Sequence, residues 1–254
     1  MNIEKSRLQI KIFKKAAKLP KIITRFTSLE NVIDFVMNSQ LHFSPLSSFD
    51  DCTEGKNLKQ AALISNEKES KDQKVPSFVR RDILYASCWH IGNENLYMWD
   101  IYGKNKNCLA IQLKTDSLLE HVFIPGDFWF SSKKNIDKEV DNNEFKISSF
   151  HCGKVDYIKL NGNNTNLYIG RFKDKAFSHE KEFRFLLRQN YKGSPPVGLK
   201  DLKCKFINNA EKKINVRLLV SPYADDSYFE FIATAFKQYK NVVVRHSKFK
   251  ELFK

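Results

Sequence analysis

Long hydrophobic runs are missing from this chain of 254 residues. No stretch of about 18 consecutive apolar residues occurs, so a membrane-spanning helix is not expected. The opening segment, MNIEKSRLQIKIFKKAAKLPK, is basic, but it has no uninterrupted apolar core and no small-residue cleavage pattern, so a secretory leader is not expected either. Paired cysteines are also missing. Cys52, Cys88, Cys108, Cys152 and Cys204 are odd in number and never spaced C-x-x-C, which points to reduced thiols in a cytosol rather than a disulfide scaffold. Six histidines are scattered, and neither H-E-x-x-H nor a paired Cys/His spacing suggests zinc. The phosphate-cradling patterns G-x-G-x-x-G and the P-loop are absent. Acidic residues are in deficit: 29 Asp and Glu face 43 Lys and Arg, a formal net charge of +14.

That excess of positive charge attracts polyanions and makes nucleic acid the leading candidate partner, with an acidic protein second. Lysine supplies most of it, which favours diffuse attraction to phosphates over bidentate reading of bases. A hydrophobic content of 42% with 21 phenylalanines is ample for a core. We expect one domain over 1–254, with a basic N-terminal extension over about 1–20 and charged surface insertions over about 66–74 and 131–149.

Periodicity outlines the elements. Ile22 to Phe26 reads as a strand, followed by a helix from an N-cap at Ser28 to about Asn38. Leu41 to Pro45, Ile83 to Trp89, Cys108 to Leu113 and Val155 to Ile158 read as extended, and Glu94 to Tyr102 as a short helix with an aromatic face. The chain closes on a β-α-β unit: strands at Val216–Val220 and Val242–Arg245 bracket a helix over about Asp226 to Tyr239. These elements describe an α+β domain with a mixed or antiparallel sheet and a few packed helices.

The most informative stretch is Glu180-Lys181-Glu182-Phe183-Arg184-Phe185-Leu186-Leu187. Phe183, Phe185 and Leu187 alternate with Glu182 and Arg184, the period-2 pattern of a half-buried strand. On that reading Glu180, Glu182 and Arg184 share one face, where a rigid element holds two carboxylates beside a guanidinium. A solvated strand face laced with charges is the plainer alternative.

Phe43 to Gly55 (F-S-P-x-x-x-F-D-D-x-x-E-G), Ser87-Cys88-Trp89, Met98 to Tyr102 (M-W-x-x-Y) and Glu180 to Arg184 (E-K-E-F-R) come in that order. Together they make the chain resemble a widespread bacterial family known only as a domain of unknown function. The resemblance spans residues 22 to 247. Asp50, Cys52 and Trp89 depart from that family's usual Asn, Pro and Ser. The same order is similar, more remotely, to ADP-ribosyltransferases. Those enzymes clamp NAD in a split, mixed sheet, with an Arg or His on a first strand, a small hydroxyl residue on a middle strand and a catalytic Glu on a late one.

What this second resemblance implies is specific. Glu182 binds the ribose 2′-hydroxyl and stabilises positive charge developing at the ribose, while Glu180 positions or deprotonates the acceptor. Arg25 contacts ribose or pyrophosphate, and is otherwise a surface strand residue. Ser44 and Ser87 line the cofactor site, Ser87 being otherwise a small core residue. Trp99 and Tyr102 stack on nicotinamide or an acceptor base, or else pack in an aromatic core. Phe49 lies on a loop that closes over the cofactor, and Arg184 moderates the repulsion between the two carboxylates. The activity so implied is an NAD-consuming transferase that modifies RNA or single-stranded DNA. It would be cytoplasmic, free of metal, and of the toxin type found in toxin–antitoxin and phage-defence systems, with an antitoxin or other inhibitory protein as partner. Two other classes stay open. One is a non-enzymatic nucleic-acid-binding or effector module. The other is a hydrolase or nuclease using Asp50, Asp51, Glu180 and Glu182 around Mg²⁺.

Overall fold

A computed structural model describes residues 10–12, 18–49, 84–103, 107–121, 128–132, 135–139, 146–159, 170–190, 201–205 and 214–253. Among them the strands are β1 (Ile10–Ile12), β2 (Ile22–Thr27), β3 (Gln40–Pro45), β4 (Leu84–Ile91), β5 (Leu109–Lys114), β6 (Phe128–Ser132), β7 (Asn135–Glu139), β8 (Lys146–Lys154), β9 (Asp156–Ile158), β10 (Phe172–Asp174), β11 (Glu182–Asn190), β12 (Asp201–Lys205), β13 (Val216–Val220) and β14 (Val242–His246). The helices are α1 (Leu29–Val36), α2 (Leu96–Tyr102), α3 (Thr115–His121) and α4 (Asp226–Phe236). The class is α+β: parallel and antiparallel strand pairs combined with a few helices. No helix among the described residues is long and apolar enough to cross a membrane.

The chain divides into two compact units, each assembled from separated segments. Residues 18–42, 88–127 and 204–254 form one of them. Its strands run in the order β14, β13, β5, β2 and the end of β4. β14 lies parallel to β13, and the remaining neighbours are antiparallel. The expected β-α-β ending is therefore present, with Ile232 and Phe236 of α4 buried. α4 stops at Phe236, three residues short of Tyr239. Helix α1 begins after Ser28, whose backbone takes the extended N-cap conformation but whose side chain makes no capping bond. Val32, Phe35 and Val36 are its buried positions. The apolar centre comprises Phe26, Met98, Trp99, Cys108, Ala110 and Leu219. Phe26 meets Trp99 edge to face at 4.8 Å, a favoured aromatic geometry.

Residues 1–17, 43–87 and 128–203 form the other unit. β11 runs antiparallel to β8 along almost its whole length, with a register shift between Arg188 and Gln189. β1, inside the expected N-terminal extension, lies parallel to β8. The stretch 131–149 contains the end of β6, all of β7 and the start of β8, whereas 66–74 lies outside the described residues. Phe183 and Phe185 are fully buried and in edge-to-face contact at 5.2 Å. Phe185 also stacks on Phe150 of β8. β9 and β10 make a separate two-stranded parallel sheet.

Candidate functional site

The charged cluster is built where β10 leads through a short 3-10 turn, Lys175–Glu180, into β11. Asp174 caps the turn, its carboxylate accepting from the Ala176 N–H at 2.9 Å. Lys181 ends it in the left-handed region, at φ 46° and ψ 56°, a conformation that disfavours a side chain. Glu180 therefore belongs to the turn and not to the strand, which corrects the reading of Glu180, Glu182 and Arg184 as three positions on one strand face. The left-handed residue between them lets Glu180 fold back toward the Lys173 ammonium that also reaches Glu182.

The strand also differs from the half-buried expectation. From Glu182 to Leu187 every residue is buried, and Arg184 is 0% exposed. Burying charge is tolerable only when the charges are paired and bonded, and here they are. Arg184 Nε donates to Glu182 Oε2 at 2.5 Å, and its Nη1 donates to the Gly170 carbonyl at 3.2 Å. The guanidinium lies 5.8 Å from the centre of the Phe49 ring. Lys173 Nζ donates to Glu180 Oε2 at 2.6 Å and reaches Glu182 Oε1 at 3.4 Å. The Glu182 N–H donates to Tyr157 Oη at 2.7 Å. Gly170 has φ +82°, and a Cβ there would sit 2.9 Å from a Leu186 methyl, so any side chain would strain the residue that presents this carbonyl.

Electrostatics separates the two glutamates. Burial raises the Glu180 carboxyl, the hydrogen bond and charge of Glu182 raise it further, and Lys173 offsets only part of this. Burial alone would raise Glu182 as well. The Arg184 guanidinium and then the Lys173 ammonium outweigh that effect and hold this carboxylate well below its ordinary range. Two titratable groups pushed apart in this way can divide acid, base and electrostatic roles between them. Lys173 is pulled down by burial, but the charge of Glu182 and the bond to Glu180 more than reverse this and keep it protonated.

The expected site residues distribute between the two units. Glu180, Glu182 and Arg184 come together, with Phe49 against the guanidinium. Ser44 and Ser87 belong to the same unit. Ser44, on β3, is opposite Ala86 of β4 and half-buried, and Ser87 is fully buried on β4. Arg25, Trp99 and Tyr102 belong to the other unit. Arg25 donates to the His42 carbonyl at 2.9 Å and lies 6.0 Å from the centre of the Trp89 ring. Trp99 is fully buried, its Nε1 donating to Glu94 at 2.9 Å. Tyr102 is exposed. Asp50 and Asp51, the further ligands of the metal alternative, lie outside the described residues. Sequence reasoning missed Lys173 and Tyr157. The only signal was the strand pattern around Tyr157, which did not show what the phenol would touch.

Residues 98–185 match the model of a family described as "Protein of unknown function (DUF2971)". This bears out the resemblance to a family of unknown function. The matched segment begins at the methionine of M-W-x-x-Y and ends one residue after Arg184. No curated protein sequence matches the chain. Among solved structures it is similar to DarT of Thermus sp. 2.9 in complex with NAD+, at 10% identity and a TM-score of 0.32, over 92% of this chain and 98% of that one.

Proposed function

We propose that this protein is an NAD-dependent ADP-ribosyltransferase whose reacting centre is the Glu180–Glu182 pair. One observation supports the reading above all others: two buried carboxylates bridged by one ammonium, Lys173 Nζ lying 2.6 Å from Glu180 and 3.4 Å from Glu182, in surroundings that push the first carboxyl up and the second down. Glu182 is the group to stabilise a ribose cation. As the bond between nicotinamide and ribose C1′ breaks, its electron pair leaves with nicotinamide and positive charge grows on the sugar. A fixed carboxylate strengthens its hold at that moment, which lowers the barrier selectively. The Lys173 contact at 3.4 Å is long, so Glu182 Oε1 keeps acceptor capacity for a ribose hydroxyl. Glu180, in its ionised form, takes the proton that the acceptor oxygen or nitrogen loses as it bonds to C1′. A base works best when its pKa approaches the operating pH, and the upward shift moves Glu180 that way.

The net charge of +14 supports nucleic acid as the acceptor, RNA or single-stranded DNA. A transferase of this kind acting in the cytoplasm on the cell's own nucleic acid would act as a toxin and require restraint, so an antitoxin-type protein partner belongs to the reading. A second reading has its own support. Glu180, Glu182, Lys173 and Arg184 compensate one another closely, as in a structural ion cluster of a non-enzymatic binding module.

Incubation with labelled NAD and separate pools of RNA, single-stranded DNA, duplex DNA and cell protein decides between the two. Label should enter one nucleic-acid pool, and Glu182→Gln should reduce transfer by about 10²–10³-fold, the scale of losing one preorganised electrostatic contact. Absence of both transfer and nicotinamide release would sink the NAD reading and leave the structural cluster.

A further inference from the structure

Strands β9 and β10 are only three residues each, yet their register is well defined: Phe172 lies opposite Asp156, Lys173 opposite Tyr157 and Asp174 opposite Ile158. Register partners on adjacent strands point to the same side. Lys173 and Tyr157 therefore leave this small sheet together, and both end on the glutamate pair. Tyr157 Oη takes the Glu182 N–H at 2.7 Å, which fixes the backbone at the start of β11. Lys173 Nζ spans the two carboxylates, 2.6 Å from Glu180 and 3.4 Å from Glu182. Lys173 is 6% exposed, and its ammonium lies 4.7 Å from the centre of the Phe177 ring. Arg171, just before β10, pairs with Asp156 of β9 at 3.1 Å, a tie that involves none of the cluster's side chains. The two strands thus form a braced arm whose ends bear on Glu180 and Glu182.

We propose that Lys173, presented by β10 beside Tyr157, is a positioning residue that fixes Glu180 against Glu182 and governs where the proton of the pair resides. The inference rests on the reading of that pair as the reacting centre, but its first test does not. A buried ammonium in contact with both carboxylates stabilises their ionised forms. Other charged or titratable groups around Glu180 among the described residues include the Glu182 carboxylate and the Tyr157 phenol from β9, with the Arg184 guanidinium from β11 beyond Glu182. Among the described residues Arg184 is bonded to Glu182, and Lys173 is the cation in direct contact with Glu180. Without it, Glu180 should hold its proton to higher pH, and a base that must ionise before it accepts a proton would work only at higher pH.

The test follows the glutamate carboxyl carbons and lysine Nζ by NMR across a pH titration of the full chain, with Glu180 and Glu182 assigned from Glu→Gln variants. In the wild-type protein the Lys173 Nζ signal should move with the Glu180 midpoint. In Lys173→Met that midpoint should rise by about one pH unit or more, the scale of losing an opposite charge at contact distance. Lys173→Arg should return it most of the way. A Glu180 midpoint unmoved in a folded Lys173→Met protein would overturn the proposal. So would a wild-type Lys173 Nζ signal indifferent to Glu180, a readout that needs no variant to fold. If NAD turnover is present, the acid limb of its kcat profile should shift upward by the same amount in Lys173→Met, a displacement that a merely structural lysine would not produce. Titrations that behave as expected in a protein with no NAD turnover would uphold Lys173 as the positioning residue and reject the ADP-ribosyltransferase reading alone.

Discussion

Glu94 and Glu182 are both buried glutamates, and they are held by different means. Glu94 precedes helix α2 in one unit and accepts three bonds from neutral donors: Trp99 Nε1 at 2.9 Å, Ser247 Oγ at 2.5 Å and the Lys248 N–H at 2.8 Å. The bonds from Ser247 and Lys248 join stretches far apart in the chain, so the carboxylate fastens the segment after β14 to the start of α2. Glu182, in the other unit, is held by Arg184 and Lys173 and has a second carboxylate pressed against it. Neutral donors around a single carboxylate make a fastening. Two carboxylates under two cations make a cluster whose proton can move. On the proposed function, the difference separates a carboxylate used for architecture from a pair used for chemistry.

The comparison is broken most severely by removing the cation that Glu182 depends on. Arg184→Met leaves a buried carboxylate with its main counter-charge gone and strands the Gly170 carbonyl, which accepts from Nη1 at 3.2 Å. Truncating one partner of a buried pair typically costs about 3–5 kcal/mol, and urea unfolding should show a loss of that order. Replacing both partners, as Glu182→Leu with Arg184→Met, should recover much of it, because two apolar groups leave no uncompensated charge. A loss under about 1 kcal/mol for Arg184→Met alone would mean that water reaches the cluster in solution.

Next in size is a dependence on pH that belongs to Glu180. Its folded-state carboxyl is raised, by burial first and then by Glu182. The stabilisation attached to its protonated form is complete below the unfolded value of about 4.3 and is lost as pH rises through the folded value. Glu182 has the opposite sign: its carboxylate is lowered, so its contribution is present above about 4.3 and lost as pH falls through its folded value. Unfolding free energy should therefore decline on the alkaline side of that window, by about 1.4 kcal/mol for each unit by which Glu180 is raised. Glu180→Gln should flatten that decline and leave the acid limb in place. An unchanged alkaline slope in Glu180→Gln would show that Glu180 is not the group titrating there.

Much of the fold was legible because long elements repeat their pattern. Phe183, Phe185 and Leu187 announced β11, and the spacing of Ile232 and Phe236 announced α4. The charges between the phenylalanines were legible as a cluster but not as a buried one, since alternation alone cannot say whether a second layer covers the polar face. Lys181 shows the limit more sharply. Glu180 and Glu182 are two residues apart, which suggested one strand face, yet they meet through a left-handed turn at a lysine, a residue that gives no sign of that conformation. Lys173 and Tyr157 were out of reach for a different reason. Strands of three residues carry too few positions for periodicity, and the register that sets the two side by side exists only once β9 and β10 pair.

The smallest effect tests the other side of the comparison. Ser247 is buried, its hydroxyl donating to Glu94 while its oxygen accepts the Phe249 N–H at 3.1 Å. Ser247→Ala removes one of three donors to a carboxylate that keeps the other two, and orphans one N–H that is only partly buried. A hydrogen bond to a charged group contributes about 1.5–3 kcal/mol, and with two donors remaining the loss should fall at the lower end, about 1.5 kcal/mol by urea unfolding. A double-mutant cycle with Glu94→Ala should give a coupling of about 1 kcal/mol, because the two substitutions remove the same contact. Additive losses would mean that the serine acts through the Phe249 N–H alone and that Glu94 is held by Trp99 and the Lys248 backbone. A loss matching that of Arg184→Met would dissolve the distinction, since a neutral fastening would then matter to its unit as much as a buried charge pair does to the other.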